Sequence, residues 1–198
     1  MIETAAAERA KYEQVWEAPE YRRYSPGEAM AWPFIRIARP KGSIIDFGCG
    51  PGRASLMFHL FGLDVTMIDT AVNCLDDEIV QEIGARFVQG NLWDSDLPIP
   101  VADYGYCVDV MEHIPPEWVG AVIANILRHA QTTFFHICLR KDHFGEALIG
   151  HPLHLTVKPF AWWRDLLGAH GEIIDGRDLI DNGLFIVRSR AVRASRRH

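Results

Sequence analysis

The stretch IIDFGCGPG, residues 44–52, constrains the rest of the chain more than any other. An apolar run ending in an aspartate gives way within one residue to three glycines spaced two apart. A run such as SIIDF, apolar on both faces, is a strand with helices on either side of its sheet. The following RASLMFHLFG reads as a helix stopped at Gly62, so the stretch is the turn of a strand-to-helix unit. The same alternation continues. DVTMID is a second strand, AVNCLDDEIVQEIG a helix ended by Gly84, ARFVQG a third strand and ADYGYCVDV a fourth. PPEWVGAVIANILRHA is a helix with proline in its first turn, TTFFHICL a fifth strand and PFAWWRDLLGAHG a helix closed by Gly171. EIID and GLFIVRSR are the last two strands. About seven residues separate those two, too few for a crossover helix, so the last should run antiparallel. The pattern predicts an α/β fold, doubly wound, with a mostly parallel seven-stranded sheet and an antiparallel last strand. Three regions are expected: an N-terminal helical arm over 1–34, with a helix from Thr4 to Glu17 and a turn-containing segment from Tyr21 to Gly27; a continuous domain over 35–190; and a basic flexible tail over 191–198.

Composition narrows the setting. A chain of 198 residues, 48% hydrophobic, closes one sizeable core. No apolar run approaches the roughly eighteen residues a bilayer span needs. The N-terminus has acids and no apolar core of a signal sequence, so a soluble cytoplasmic protein is expected. Cysteines 49, 74, 107 and 138 make no CxxC pair, which points to reduced, mostly buried thiols. The last eleven residues, RSRAVRASRRH, hold five arginines and no acid. The rest of the chain is therefore more acidic than the net charge of −6 indicates, which disfavours nucleic acid as a partner.

Ligands of open α/β sheets bind beyond the carboxyl ends of the strands, where the glycine turn lies. Two compete for it. A dinucleotide fingerprint, GxGxxG counted from Gly48, puts Arg53 where the third glycine must allow close helix packing. Pro51 also removes an N–H donor from a loop that would have to cradle a pyrophosphate. Both features favour a phosphate-free ligand such as an adenosyl group. Asp69, at the end of the second strand, is placed to accept hydrogen bonds from both hydroxyls of a ribose.

With DFGCGPGR, MID, GNLWDSDLPIP and ADYGYCVDVMEHIPPEW in this order, and HLTVKPFAWWRDLLGAHGEIID following, the chain resembles a class I S-adenosylmethionine-dependent methyltransferase over roughly residues 35–190. The resemblance implies a Rossmann-like methyltransferase fold with S-adenosylmethionine as cofactor and S-adenosylhomocysteine as product. It implies that Asp46 takes the methionine ammonium while Gly48, Gly50 and Gly52 approach the methionine part through their backbone. Asp69 would hold the ribose, and Asn91 and Leu92 the adenine, with Trp93 stacked on or walling the base. Cys49, Thr70 and Val108 would complete the cofactor site. The commoner family pattern has aspartate where Asn91 stands, and an amide, which both donates and accepts, can still read adenine N6.

Methyl transfer from a sulfonium needs alignment first and a base only where the acceptor starts protonated. His113 in EHIPP falls where the acceptor should meet the methyl group and is a candidate base, although a structural role is the alternative. His154 is a candidate acceptor contact within 141–159. His136, His143, His151 and His154 match no helical HxxxH or HExxH spacing, so no metal is expected. Trp16, Tyr21, Arg22, Tyr24 and Trp32 of the arm could form a second wall over the cofactor. The fourth strand ends CVDVMEH, without the [DNS]PP[YFW] of amino-group methylases of DNA bases. The expected partner is therefore a small-molecule or glycan acceptor, methylated on oxygen or nitrogen by a monomer or homodimer. A non-catalytic cofactor-binding sensor and a nucleotide-dependent oxidoreductase are the rival readings.

Overall fold

The computed structural model describes residues 2–83 and 86–191. The expected helix end at Gly84 and all but the first residue of the basic tail lie outside them. Seven strands form one sheet: β1 (Ser43–Phe47), β2 (Asp64–Asp69), β3 (Phe87–Gln89), β4 (Ala102–Val108), β5 (Ala130–Cys138), β6 (Gly171–Asp178) and β7 (Asn182–Ser189). Their order across the sheet is β3-β2-β1-β4-β5-β7-β6. All strand pairs are parallel except those of β7, which runs antiparallel to both β5 and β6. The last strand is thus antiparallel as expected, and it is inserted between β5 and β6. Only residues 179–181 join β6 to β7, which permits a hairpin and nothing wider.

Period-2 alternation splits the apolar residues between the two faces. Ile45, Phe47, Cys107, Phe135, Phe185 and Val187 point to one side. There they meet α6 (Val119–His129) and α8 (Phe160–His170), whose Val122, Ile123, Ile126, Trp163 and Leu167 are buried. Ile44, Tyr106, Phe134, Leu184 and Ile186 point to the other side, against α3 (Pro26–Ala38) and α4 (Arg53–Leu60). The second layer is an aromatic cluster in which Phe34 of α3 lies 5.5 Å from each of Phe58, Tyr106 and Phe134. No described helix is long and apolar enough to cross a membrane.

Five local readings change. The helix α3 was not anticipated, although Ser25 accepts from the Glu28 N–H at its start and Pro26 occupies its first turn. The expected arm boundary at residue 34 falls inside this helix, between the buried Phe34 and Ile35. The expected single helix AVNCLDDEIVQEIG is a 3₁₀ turn over Val72–Cys74, an extended Leu75 and α5 (Asp77–Ile83). Arg22 explains the break: its guanidinium donates to the carbonyls of Asn73 (2.6 Å), Cys74 (3.3 Å) and Leu75 (3.0 Å), which a continuous helix would use internally. Pro115 and Pro116 form a turn ahead of α6, closed by Trp118 N–H to the Pro115 carbonyl, and lie before its first turn. Residues 141–159 contain a short helix, α7 (Phe144–Ile149).

Candidate active site

β1 lies between β2 and β4, and the chain leaves it in opposite directions on its two sides, so a crevice opens beyond its carboxyl end. Gly48 (φ +73°) and Gly50 (φ +51°) shape the turn there. A Cβ on Gly48 would stand 2.5 Å from Val110 Cγ2, and one on Gly50 would stand 3.2 Å from the Trp16 ring. The first is excluded by strain and by space; the second is strained and would crowd the Trp16 ring.

Asp69, at the tip of β2, binds this turn directly. Its Oδ2 accepts from the Gly50 N–H (3.0 Å) and its Oδ1 from the Ala71 N–H (3.1 Å). Burial raises its pKa, while the backbone N–H groups of Ala71, Gly50 and Thr70 oppose the rise. Asn91, just past β3, is buried. Its Oδ1 accepts from Thr70 Oγ1 (2.9 Å) and its Nδ2 donates to Asp94 Oδ2 (3.1 Å). Asn125 of α6 donates to the Leu92 and Asp94 carbonyls (2.9 and 2.8 Å), which fixes the loop that carries Trp93. Gly48, Gly50, Asp69, Thr70, Asn91, Leu92 and Trp93 all line one crevice.

An adjoining cavity is lined by Asp46, Gly48, Cys49, Gly50 and Val108. Asp46 is 3% exposed and accepts from Ser55 Oγ at 2.6 Å. Burial pushes its pKa up to about 7, partly countered by the Ser55 hydroxyl. Gly52 lines neither cavity; it takes a left-handed conformation (φ +81°) at the start of α4, packed against Ile79, Met67 and Leu75.

The arm covers both cavities. The helix α1 (Ile2–Trp16) brings Tyr12 and Trp16 to the crevice, and the short α2 (Pro19–Arg22) brings Tyr21, whose ring meets Trp16 edge-on at 4.7 Å. Arg22 anchors this cover through the three carbonyls above and Asp76 Oδ1 (3.0 Å). Arg53 holds the other oxygen of Asp76 (2.9 Å) and the Arg22 carbonyl (3.1 Å). The residue that spoils the dinucleotide fingerprint is therefore part of the anchor. Tyr24 lines the adjoining cavity, whereas Trp32 is 55% exposed on α3 and lines none of the three cavities described here.

A third cavity, of about 510 Å³, opens beside the first two and is lined by Tyr21, Tyr24, Asp109, His113, Arg140 and His154 among others. That volume is in the usual range for a small-molecule site. Asp109 lines all three cavities and His113 two of them. Asp109 has φ +59°, a left-handed conformation just past β4. Sequence reading missed it, because pattern alone does not distinguish it from the last residue of a strand. His113 is 9% exposed, and its Nε2 stands 4.0 Å from Asp109 Oδ2. Burial, reinforced by His154 and Lys11, lowers its pKa to about 3, so it is neutral in this state. The rings of His113 and His154 meet edge-on at 4.7 Å. Among the described residues, His136, His143 and His151 join no group of potential metal ligands.

Residues 44–132 match the family model of a methyltransferase domain. Solved structures of methyltransferases share the seven-stranded fold. The 1,6-didemethyltoxoflavin-N1-methyltransferase of Burkholderia thailandensis, solved with that substrate and S-adenosylhomocysteine, is 17% identical with a TM-score of 0.73. The match covers 94% of this chain and 89% of that one. Magnesium protoporphyrin IX methyltransferase from Synechocystis, with bound S-adenosylhomocysteine, is 18% identical with a TM-score of 0.61, covering 82% of each chain. A protein from Pyrococcus horikoshii is 12% identical with a TM-score of 0.64, covering 90% and 95%. No curated protein sequence matches the chain.

Proposed function

We propose that this methyltransferase binds S-adenosylmethionine across the tips of β1, β2 and β3 and transfers its methyl group to an oxygen or nitrogen of a small molecule. One observation carries the reading: the Asp69 carboxylate is held rigidly by Gly50 and Ala71 at the floor of a crevice that continues to the buried carboxylate of Asp46. Two fixed carboxylates joined by a glycine-lined trough suit a ligand with a diol at one end and an ammonium at the other.

In this reading Asp69 accepts from the ribose hydroxyls and Asp46 pairs with the methionine ammonium. Asn91, Leu92 and Trp93 enclose the adenine. The acceptor occupies the 510 Å³ cavity, with Asp109 and His113 at the junction where its nucleophilic atom meets the methyl group. The acceptor's lone pair forms the new bond to carbon as the carbon–sulfur bond breaks, and sulfur keeps that electron pair to leave as a neutral thioether. Charge disperses on the way, so positioning supplies much of the rate. The arm excludes water: Trp16 lies over Gly50, and α1 must shift for cofactor exchange. The protein acts in the cytoplasm as a monomer or homodimer.

Thermal-shift measurements with S-adenosylmethionine, S-adenosylhomocysteine, NAD and NADP test the cofactor. The first two alone should stabilise the protein, and stabilisation by NAD or by none of the four would refute the reading. Methylation of a panel of phenols, amines and sugars, read from S-adenosylhomocysteine release, then tests the acceptor class.

A further inference from the structure

Among the described residues, Tyr21 and Asp109 alone line the cofactor crevice, the adjoining cavity and the acceptor cavity together. The Asp109 carboxylate is therefore placed where an acceptor would meet the methyl group, and no cationic side chain pairs with it. Its one neighbour in ion-pair range among the described residues is His113 Nε2 at 4.0 Å, on a ring that burial keeps neutral. Arg140, at the acceptor cavity, pairs instead with Asp181 (3.1 Å). Asp142 is occupied too, accepting from the N–H groups of Phe144, Gly145 and Leu153 (2.7, 2.9 and 3.3 Å).

Behind Asp109 stands Glu112, which is fully buried, and a carboxyl oxygen of each lies within 4.8 Å of the other. Glu112 Oε1 accepts from the Cys138 N–H at 2.6 Å, and Oε2 has no donor. Two buried carboxyls this close hold one proton between them. Burial raises both, and the Asp109 charge raises Glu112 further, whereas a hydrogen bond from Glu112 and the nearby His154 oppose the rise of Asp109. The proton belongs on Glu112, and the charge on Asp109 where the cavities meet.

A carboxylate without a cationic partner, beside an aromatic ring, is a setting for an ammonium ion. Tyr21 supplies the ring, and burial together with the Asp109 charge raises its phenol, so it stays neutral. His113 adds a neutral acceptor: it is 9% exposed, lines the crevice and the acceptor cavity, and its Nδ1 has no partner. We propose that Asp109, Tyr21 and His113 receive the acceptor as an ammonium ion, and that the methyl group goes to the nitrogen of an aliphatic amine, the class protonated at neutral pH. This inference narrows the methyltransferase reading and rests on it for the methyl donor. The ammonium gives one proton to Asp109, which frees the nitrogen lone pair. That pair forms the bond to the methyl carbon as the carbon–sulfur bond breaks, and sulfur keeps the electrons of the broken bond. The product leaves as an N-methylammonium ion, and Asp109 loses its proton to solvent before the next turnover. Glu112 is a positioning residue that keeps the charge on Asp109.

Benzylamine, a cation at neutral pH, benzyl alcohol and benzoate share a ring and differ in charge. Calorimetric titration of each into free protein and into protein saturated with S-adenosylhomocysteine should show the benzylammonium ion bound at least about tenfold more tightly than the other two. Asp109→Asn, which tolerates the left-handed backbone, should abolish that preference. Glu112→Gln should keep it, since the amide donates as the protonated acid does and still accepts from the Cys138 N–H. Equal affinity for the three compounds, no binding of the benzylammonium ion at millimolar concentration, or an unchanged preference in Asp109→Asn would overturn the proposal. Loss of the preference in Glu112→Gln would overturn it as well, because the charge would then lie on Glu112. If S-adenosylhomocysteine binds while the benzylammonium ion does not, only the amine site fails; if the reverse holds, the cofactor reading fails and the amine site stands.

Discussion

Replacing Asp69 with Asn probes the ribose contact with little change in shape. The carboxylate accepts from two N–H groups on different oxygens, at 3.0 and 3.1 Å. The amide has one oxygen, so its NH₂ must face either the Gly50 or the Ala71 N–H. Losing a hydrogen bond to a charged acceptor costs about 1.5–3 kcal/mol. Burial already works against the charge of Asp69, and removing it returns part of that cost. The net loss of stability should therefore be about 1 kcal/mol, a fall in Tm of about 2–4 °C. The cofactor loses more. One ribose hydroxyl gives up a charged acceptor and meets a donor, which corresponds to about ten- to hundredfold weaker S-adenosylhomocysteine binding. Isothermal titration with S-adenosylhomocysteine and its 2′,3′-dideoxy analogue forms a double cycle, because the analogue lacks the groups that Asp69 would accept from. The substitution should weaken the natural ligand by the full factor and the analogue by threefold or less. Equal losses on both ligands, or an unchanged Kd in folded Asp69→Asn, would refute the assignment.

Asp46 gives a pH signature. Its pKa rises from 3.8 to about 7 on folding, so its contribution to stability is fully present below about pH 3.8 and is lost as pH rises through about 7. The contribution is at most about 4 kcal/mol; guanidinium unfolding of the free protein at several pH values should show this slope, and Asp46→Asn should flatten it. An ammonium bound beside Asp46 favours its ionised form, so S-adenosylhomocysteine binding near pH 6 should release a proton, read from titrations in buffers of different ionisation enthalpy. Trp16→Ala removes a ring that is 8% exposed and packed over Gly50; stopped-flow measurement should show S-adenosylhomocysteine leaving at least tenfold faster, and an unchanged rate would mean that α1 is no lid. Arg22→Met keeps the aliphatic stem and deletes the donors to Asn73, Cys74, Leu75 and Asp76. Limited proteolysis should then cut before residue 26 several times faster while the sheet stays intact.

The glycine turn, the strand alternation and the acid at Asp69 were legible because each depends on local chemistry: positive φ, double-sided burial and the fixed tip of a parallel strand; Asp46 was named only through the family resemblance. Some elements were hidden by contacts distant in sequence. AVNCLDDEIVQEIG has helical composition throughout, yet Arg22, some fifty residues earlier, takes up the carbonyls at its middle and breaks it. The helix α3 was missed although its Ser25-Pro26 start is a local signal, because the arm was read as a turn leading straight into the sheet. Leu92 was named for the adenine side and lines the crevice while also packing in the core, a double role that spacing does not reveal.

The sequence by itself determined the sheet, its antiparallel last strand and the glycine turn at the mouth of the crevice, since strand periodicity and glycine conformation are set by each residue and its near neighbours. Only the tertiary structure decided what stands around that crevice. It folded the arm across the crevice through Arg22 and Trp16, and it gathered Asp109, Glu112 and His113 from the end of β4 with His154 from the segment after α7. Those groups meet because β4 and β5 are paired in parallel and deliver their following loops to the same edge, a consequence of packing that no short stretch of the chain contains.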